Sequence, residues 1–323
     1  MQATAQAHPI QGLIKYHGMR DGTPRYPYHD SISVSTAPSV TTTTVAFEPD
    51  AAADVYEIDG DPVDGQGAER IRTVVDHVRT LADTDAAVRL VSENTFPTNI
   101  GFGSSSSGFA AAALALVTAA GLELSLEAVS AIARRGSASA ARAVTGGFSH
   151  LRSGYDDRDC RAEAVETGLT DTLQVLAVEV PAFKHTAQAH AEAAESPMFE
   201  ARRAQMHEQI DRMRAALHAD DLAAVCALAE ADTLSLAATT MTGPAGWVYW
   251  RPVTLEVFDL VRTLRSEEEL PVWFSTDTGA SVYVNTTPPH VERVRSALTA
   301  LGQPVHHWHV GGPARLTPDA ALF

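Results

Sequence analysis

Residues 92–116 read SENTFPTNIGFGSSSSGFAAAALAL, and no other stretch constrains the fold as tightly. A short apolar strand ends, Pro97 follows, and Gly101 and Gly103 flank Phe102. Ser104, Ser105, Ser106 and Ser107 then open an Ala/Leu-rich segment that is apolar all round, as a buried helix must be. A glycine loop running into a helix N-terminus gathers unpaired N–H groups and partial positive charge at one point. That geometry suits phosphate, and serine hydroxyls add donors to its oxygens or a ligand to bound Mg²⁺. A Gly/Ser loop is equally a plain turn with a serine cap. No GK[ST] follows, and the third glycine falls at Gly108, so neither common nucleotide fingerprint is matched. The loop by itself is an anion cradle without chemistry.

The rest of the chain supplies the setting. Its 323 residues suffice for one large domain or two ordinary ones. Strands and helices mix in both halves without regular βαβ alternation, which predicts an α+β fold in two domains, residues 1–171 and 172–323. Residues 155–171 read as an irregular inter-domain region and residues 50–67 as an exposed hairpin or loop. The apolar run 109–122 is too short to span a bilayer, and no basic-then-apolar leader opens the chain. A cytoplasmic protein without a membrane role is therefore expected, and Cys160 and Cys226 fit a reduced compartment as inert thiols. A net charge of −16 argues against nucleic acid as a partner. Of 24 basic residues only Lys15 and Lys184 are lysine, against 40 acidic residues. Such a lysine-poor, acidic composition resembles adaptation to high salt, and GC-rich coding produces part of the same bias. Where lysine is nearly discarded, a lysine inside the apolar segment GLIKYHG is a candidate for a specific task rather than a snorkelling edge residue.

Three further residues could carry chemistry. Asp277 in STDTGAS is either a turn-former beside Gly279 or a carboxylate held at a strand end, where it could orient or deprotonate a hydroxyl. Arg142, near Ser137 and Ser139, is either an exposed helix arginine or a planar fork for a carboxylate or phosphate. Thirteen histidines without HExxH spacing are read as giving no metal site.

In order along the chain, LIKYHGMRD with SISVST, SENTFPTNIGFGSSSSGFAA, ARRGSASAARAVTGGF and STDTGASVYV resemble four motifs of one family. These are the lysine motif, phosphate loop, serine–arginine segment and catalytic-aspartate stretch of the mevalonate diphosphate decarboxylases, within the GHMP small-molecule kinase superfamily. The resemblance spans nearly the whole chain and implies the two-domain GHMP-kinase fold with the active site between domains. It implies ATP and Mg²⁺ as cofactors, phosphorylation of a C3 hydroxyl, and loss of phosphate and CO₂. It gives Asp277 the substrate hydroxyl, Lys15 the nearby developing charge and Arg142 the substrate carboxylate. Ser137, Ser139 and Tyr16 go to the substrate, as does Ser196 on a closing helix. Asn94, Gly101, Gly103, Ser104, Ser105, Ser106 and Ser107 go to the nucleotide, with Ser105 a candidate Mg²⁺ ligand. A homodimer is also implied.

The chain departs from the family at KYWGKRD, where Met19 replaces a second lysine and His17 replaces tryptophan. A cation missing there fits a substrate with one phosphate fewer, mevalonate 5-phosphate, converted to isopentenyl phosphate. A diphosphate-specific decarboxylase, a kinase that does not decarboxylate, and a non-enzymatic sensor are the competing readings.

Overall fold

The computed structural model describes residues 1–96, 102–182 and 186–323. Two sheets carry the architecture. The first strand, β1 (Gln2–Ala7), alternates glutamine and threonine with small residues, and Ala5 and Ala7 are buried. β2 (Ile10–Ile14) follows, then a short hairpin of β3 (Met19–Asp21) and β4 (Tyr26–Pro27). The threonine- and serine-rich runs form β5 (Ser31–Ala37) and β6 (Thr41–Glu48), as β-branched alternation favours. Residues 50–67 take the hairpin form, one of the two expected of them. β7 (Val55–Ile58) and β8 (Asp61–Pro62) join the sheet, and β7 runs parallel to β9 (Ala87–Asn94) beyond the helix α1 (Gly65–Ala82).

The sheet order β1–β6–β9–β7–β8 forms one layer, extended at its outer edge by β16 (Arg315–Leu316). α2 (Ser104–Ala119) lies on this sheet, and α1, α3 (Leu126–Gly136) and α4 (Ala138–Thr145) pack against α2 in turn. The alanines of α2 leave no bulk, so the helix sits directly on β1 and β6. Gly121, at φ +74°, ends that run just past its C-cap. Ser125 caps α3 by accepting from the Ala128 N–H at 3.4 Å.

β10 (Phe148–Leu151) and β11 (Ala162–Val165) begin the second sheet. β11 falls within the stretch expected to be irregular; it is four residues long, at the sheet edge, and half its side chains reach solvent. β12 (Gln174–Val178) is followed by α5 (Thr186–Glu192), α6 (Phe199–His218), α7 (Leu222–Met241) and α8 (Pro252–Glu267). β13 (Trp273–Ser275), β14 (Val282–Thr286), α9 (Val291–Thr299) and β15 (Val305–Val310) complete the chain before β16. The second sheet runs β11–β10–β5–β15–β12–β14–β13, with β2 also paired to β5. Residues 32–35 of β5 pair with β2, and Thr36 and Ala37 pair with β15. One strand edge thus joins the start of the chain to its end, and the sheet runs unbroken from the N-terminal into the C-terminal half.

The helix α7 is long and apolar enough to cross a bilayer by length and composition, a feature the shorter run at 109–122 does not share. Here it packs on β2, β13 and α6, and buries Val225, Cys226 and Ala229 completely. Its Asp232 is also buried and ion-paired to Arg202, at 2.8 Å. Both cysteines are free and buried, and burial pushes the Cys160 thiol up to about 11.

Candidate active site

The phosphate loop is held in place from β2. Gly103 takes φ +76°, and a Cβ there would meet the Ser106 hydroxyl at 3.1 Å and the Ile10 carbonyl at 3.2 Å. Ser106 donates to the Gly103 carbonyl at 2.6 Å and accepts from the Ile10 N–H at 3.3 Å, tying the first turn of α2 to β2. Ser107 is fully buried and bonds Thr41 on β6 at 2.6 Å, so it anchors the helix and does not line the cleft. Ser104 and Ser105 have no protein partner for their hydroxyls among the described residues, and both line the cleft. Gly101 lies outside the described residues.

A cavity of about 350 Å³ opens beside this loop. It brings together Lys15, Tyr16, Gly103, Ser104, Ser105, Ser106, Ser137, Ser139, Arg142 and Asp277. A second cavity of about 310 Å³, mostly apolar, shares Ser104, Ser105 and Arg70 with it and includes Asn94. Asn94 accepts from the Thr41 hydroxyl at 2.6 Å and donates to Asp59 at 3.0 Å, so its amide is already engaged. Ser196 lies in neither cavity. Its hydroxyl bonds Thr242 at 2.7 Å and accepts from the Met198 N–H at 3.2 Å, in a turn ahead of α6.

Asp277 sits in the turn between β13 and β14 and reaches β2. Oδ1 accepts from the Gly12 N–H at 3.1 Å and Oδ2 from the Tyr283 hydroxyl at 3.3 Å. Burial and the nearby Asp277 charge hold the Tyr283 phenol well above its ordinary value, so it remains a donor. Gly12 makes the approach possible, because a Cβ there would lie 2.8 Å from Oδ1 of Asp277 and 2.7 Å from Cγ of Lys15. Lys15 is buried, and its Nζ donates to Thr233 at 3.0 Å and Ser275 at 3.3 Å, with Asp232 at 3.6 Å. Arg202 closes this network by bonding both Asp232 and the Lys15 carbonyl. Desolvation lowers the Lys15 pKa, and Asp232 and Asp277 oppose that shift.

Arg142 enters from α4 and is only 3% exposed. Its Nε and Nη1 have no partner among the described residues, while its guanidinium lies 5.4 Å from the Tyr16 ring centre. Burial lowers its pKa, and the charges of Tyr16 and Asp277 act against this. An unpaired buried guanidinium is costly and marks a place for an anionic ligand. Ser137 and Ser139 bond one another at 2.9 Å along the same wall. Tyr16 stacks on His190 of α5, with ring centres 5.1 Å apart.

Sequence reasoning missed Gly12, Tyr283, Asp232 and Arg202, together with two cations of the same cavity, Arg25 and Arg70. A glycine inside an apolar strand signals close backbone approach, and that clue was present at Gly12. The others carry no local signal. Arg25 and Arg70 line the same cavity as Met19, so the cavity carries positive charge although position 19 carries none.

The chain is similar to known proteins over its whole length. The family profile described as the diphosphomevalonate decarboxylase-like N-terminal domain matches residues 7–162. A phosphomevalonate decarboxylase of Haloferax volcanii is 64% identical over the whole of both chains. The solved mevalonate diphosphate decarboxylase of Staphylococcus aureus is 26% identical over 98% of each chain, with a TM-score of 0.93. A structure of MDDEF in complex with MVAPP, AMPPCP and magnesium is 26% identical, covers 98% of this chain and 99% of that one, and gives a TM-score of 0.92. The chain belongs to the diphosphomevalonate decarboxylase-like family, with the α+β fold of its GHMP-type members.

Proposed function

We propose that this chain converts mevalonate 5-phosphate to isopentenyl phosphate, consuming Mg-ATP and releasing ADP, phosphate and CO₂. One observation carries the reading: the unpartnered, buried Arg142 guanidinium shares a cavity with Asp277 and Lys15. In this role Arg142 grips the substrate carboxylate, and Asp277 orients the C3 hydroxyl and takes up its proton. Lys15 balances the charge of Asp277 and of the oxygen attacking phosphorus. The C3 hydroxyl oxygen accepts the γ-phosphoryl group. The C3–O bond then breaks, phosphate leaves, and the C1–C2 bond pair becomes the C2=C3 double bond as CO₂ departs. Arg142 keeps the departing carboxylate aligned with that bond. Positioning and charge neutralisation supply most of the acceleration in such transfers.

The residues present fit Mg-ATP. Ser104 and Ser105 are free to meet phosphate oxygens at the N-terminus of α2, with Ser105 able to ligate the ion. Among the described residues no group of three or more His, Cys, Asp or Glu side chains is placed to hold a metal. Such a donor set suits an ion carried by the nucleotide's own oxygens. When bound, Mg²⁺ neutralises the phosphate charge. The apolar second cavity, beyond Ser104 and Ser105, has room for the base.

Preference for the monophosphate rests on the Haloferax volcanii relative, at 64% identity against 26% for the solved diphosphate enzyme. We also infer two lobes, residues 1–171 and 172–323, in a soluble cytoplasmic enzyme. Separate cores under α2 and under α8 support the division, although the sheet through β5 and β15 is common to both. Steady-state comparison of mevalonate 5-phosphate with mevalonate 5-diphosphate tests the substrate. Higher kcat/KM with the monophosphate is expected, and turnover confined to the diphosphate would remove the reading.

A further inference from the structure

Packing aims the Arg142 guanidinium, since its Nε and Nη1 have no partner among the described residues. What it packs on is the Tyr16 ring, whose centre lies 5.4 Å away. Tyr16 in turn rests against a small core that includes Ala138 and Ala141 of α4, the helix that carries Arg142. His190 of α5 stacks on the same ring, with centres 5.1 Å apart and planes 16° from parallel. All three side chains line the acceptor cavity. A continuous stack therefore joins the arginine of the N-terminal half to a helix of the C-terminal half.

His190 is itself fixed from the turn after β2. Its Nδ1 accepts from the Gly18 N–H at 3.2 Å, which leaves the ring proton on Nε2. Gly18 holds φ +79°, and a Cβ there would meet a Tyr28 ring carbon at 3.1 Å and the Ala193 Cβ at 3.2 Å. The bare glycine thus lets the end of α5 reach this backbone. His17 adds a second ring beside His190, with centres 5.1 Å apart and planes tilted by 46°. It is fully buried, and burial with the charges of His190, Arg202 and His29 holds it well below its ordinary value, so it packs as a neutral ring. At the far end of α5, Glu192 accepts from the Ala245 N–H at 3.3 Å.

We propose that His190 is a positioning residue for the reaction: its ring, held by Gly18 and His17, backs Tyr16 and so aims the Arg142 fork at the substrate carboxylate. This rests on the role given to Arg142 above. Ring stacking and a cation over an aromatic face are both directional, so each link in the stack passes on an orientation. A guanidinium displaced by on the order of 1 Å would hold the carboxylate out of line with the C1–C2 bond, at a large cost in rate. Ser104 and Ser105 stand on α2, outside the stack, so the nucleotide side does not depend on it.

The test is steady-state kinetics of the full chain with Mg-ATP and mevalonate 5-phosphate, comparing the parent with His190→Ala, His190→Phe, Tyr16→Leu and the double variant His190→Ala/Tyr16→Leu. His190→Ala should lower kcat/KM for the acceptor about 10-fold, the upper range of one aromatic pair, while nucleotide KM stays within about twofold. His190→Phe keeps the stacking ring and loses only the acceptor for the Gly18 N–H, so it should recover most of the loss. In the Tyr16→Leu background, His190→Ala should cost no more than about twofold further, because His190 acts through that ring. The proposal is overturned by a His190→Ala chain within about twofold of the parent, by His190→Phe as impaired as His190→Ala, or by a loss that persists undiminished without Tyr16. If the parent turns over only mevalonate 5-diphosphate, the substrate reading fails, and the same variants compared with that acceptor still decide the role of His190.

Discussion

Gly12→Ala is the most informative single perturbation. Nothing about the position is catalytic in the ordinary sense, since it contributes only an N–H group and the absence of a side chain. The added Cβ would stand 2.8 Å from Oδ1 of Asp277 and 2.7 Å from Cγ of Lys15. β2 cannot retreat easily, because Gly12 pairs with Ser33 on β5. The carboxylate and the lysine stem must therefore move, and Asp277 loses the bond from the Gly12 N–H. Loss of one hydrogen bond to a charged group costs about 1.5–3 kcal/mol, and a shift on the order of 1 Å at a reacting group costs roughly 100-fold in rate. Overpacking adds about 1–3 kcal/mol to the loss of folding stability. We expect kcat to fall about 100-fold while nucleotide KM stays within about twofold, because the added atom touches only the acceptor side. Gly22→Ala is the control, as a Cβ there meets nothing within 4 Å. The assay is ADP release under saturating substrate, with thermal unfolding confirming a folded variant. A kcat for Gly12→Ala within about threefold of the parent would refute the close-approach reasoning.

Three further outcomes are expected. Asp277→Asn preserves size and can still accept from the Gly12 N–H, so it should fold and bind Mg-AMPPCP normally while losing turnover by at least about 100-fold; near-normal turnover removes Asp277 from the chemistry. Asp232→Asn leaves the buried Arg202 and Lys15 cations without their carboxylate, and denaturant unfolding should show a loss of about 3–5 kcal/mol; an unchanged midpoint would mean the network is not structural. Lys15 has its pKa lowered from 10.5 by burial, so its ammonium is lost on raising pH at a point below that value. The alkaline limb of kcat/KM should accordingly fall below pH 10.5, and Asp232→Asn should move it lower still, because Asp232 is the largest group raising that pKa. A limb that did not respond to Asp232 would belong to another group.

What the sequence revealed follows local signals. β15 (Val305–Val310) and α8 (Pro252–Glu267) are marked by apolar periodicity and an initial proline, and both lie where that pattern puts them. The break between α5 and α6 at Ser196-Pro197 is likewise written in the residues. β1, β7 and β11 were obscure for a different reason. β1 consists of alanine, glutamine and threonine, and it is a strand because α2 covers its small face. β7 carries an exposed Val55, and its parallel pairing to β9 is set by α1 crossing between them. β11 is a short edge strand whose Glu163 is paired with Arg152, so its composition reads as loop.

The same division holds at the site. Lys15, Arg142 and Asp277 stood out by scarcity or by motif, and the structure gathers them in one cavity. Ser107, in the phosphate-loop motif, and Ser196, outside the four motifs, bond Thr41 and Thr242, partners that no spacing conveys. Arg25 and Arg70 lie 45 residues apart and meet only because α3 offers both a carbonyl at its C-terminal end.

In the proposed reaction one cavity couples phosphoryl transfer to carbon–carbon cleavage. It is tested most directly by incubating the chain with Mg-ATP and mevalonate 5-phosphate labelled at the carboxyl carbon, in high salt, and counting ADP and labelled CO₂ in the same reaction. Equal amounts of the two are expected from the first turnover onward. ADP accumulating without labelled CO₂ would contradict it and leave a kinase.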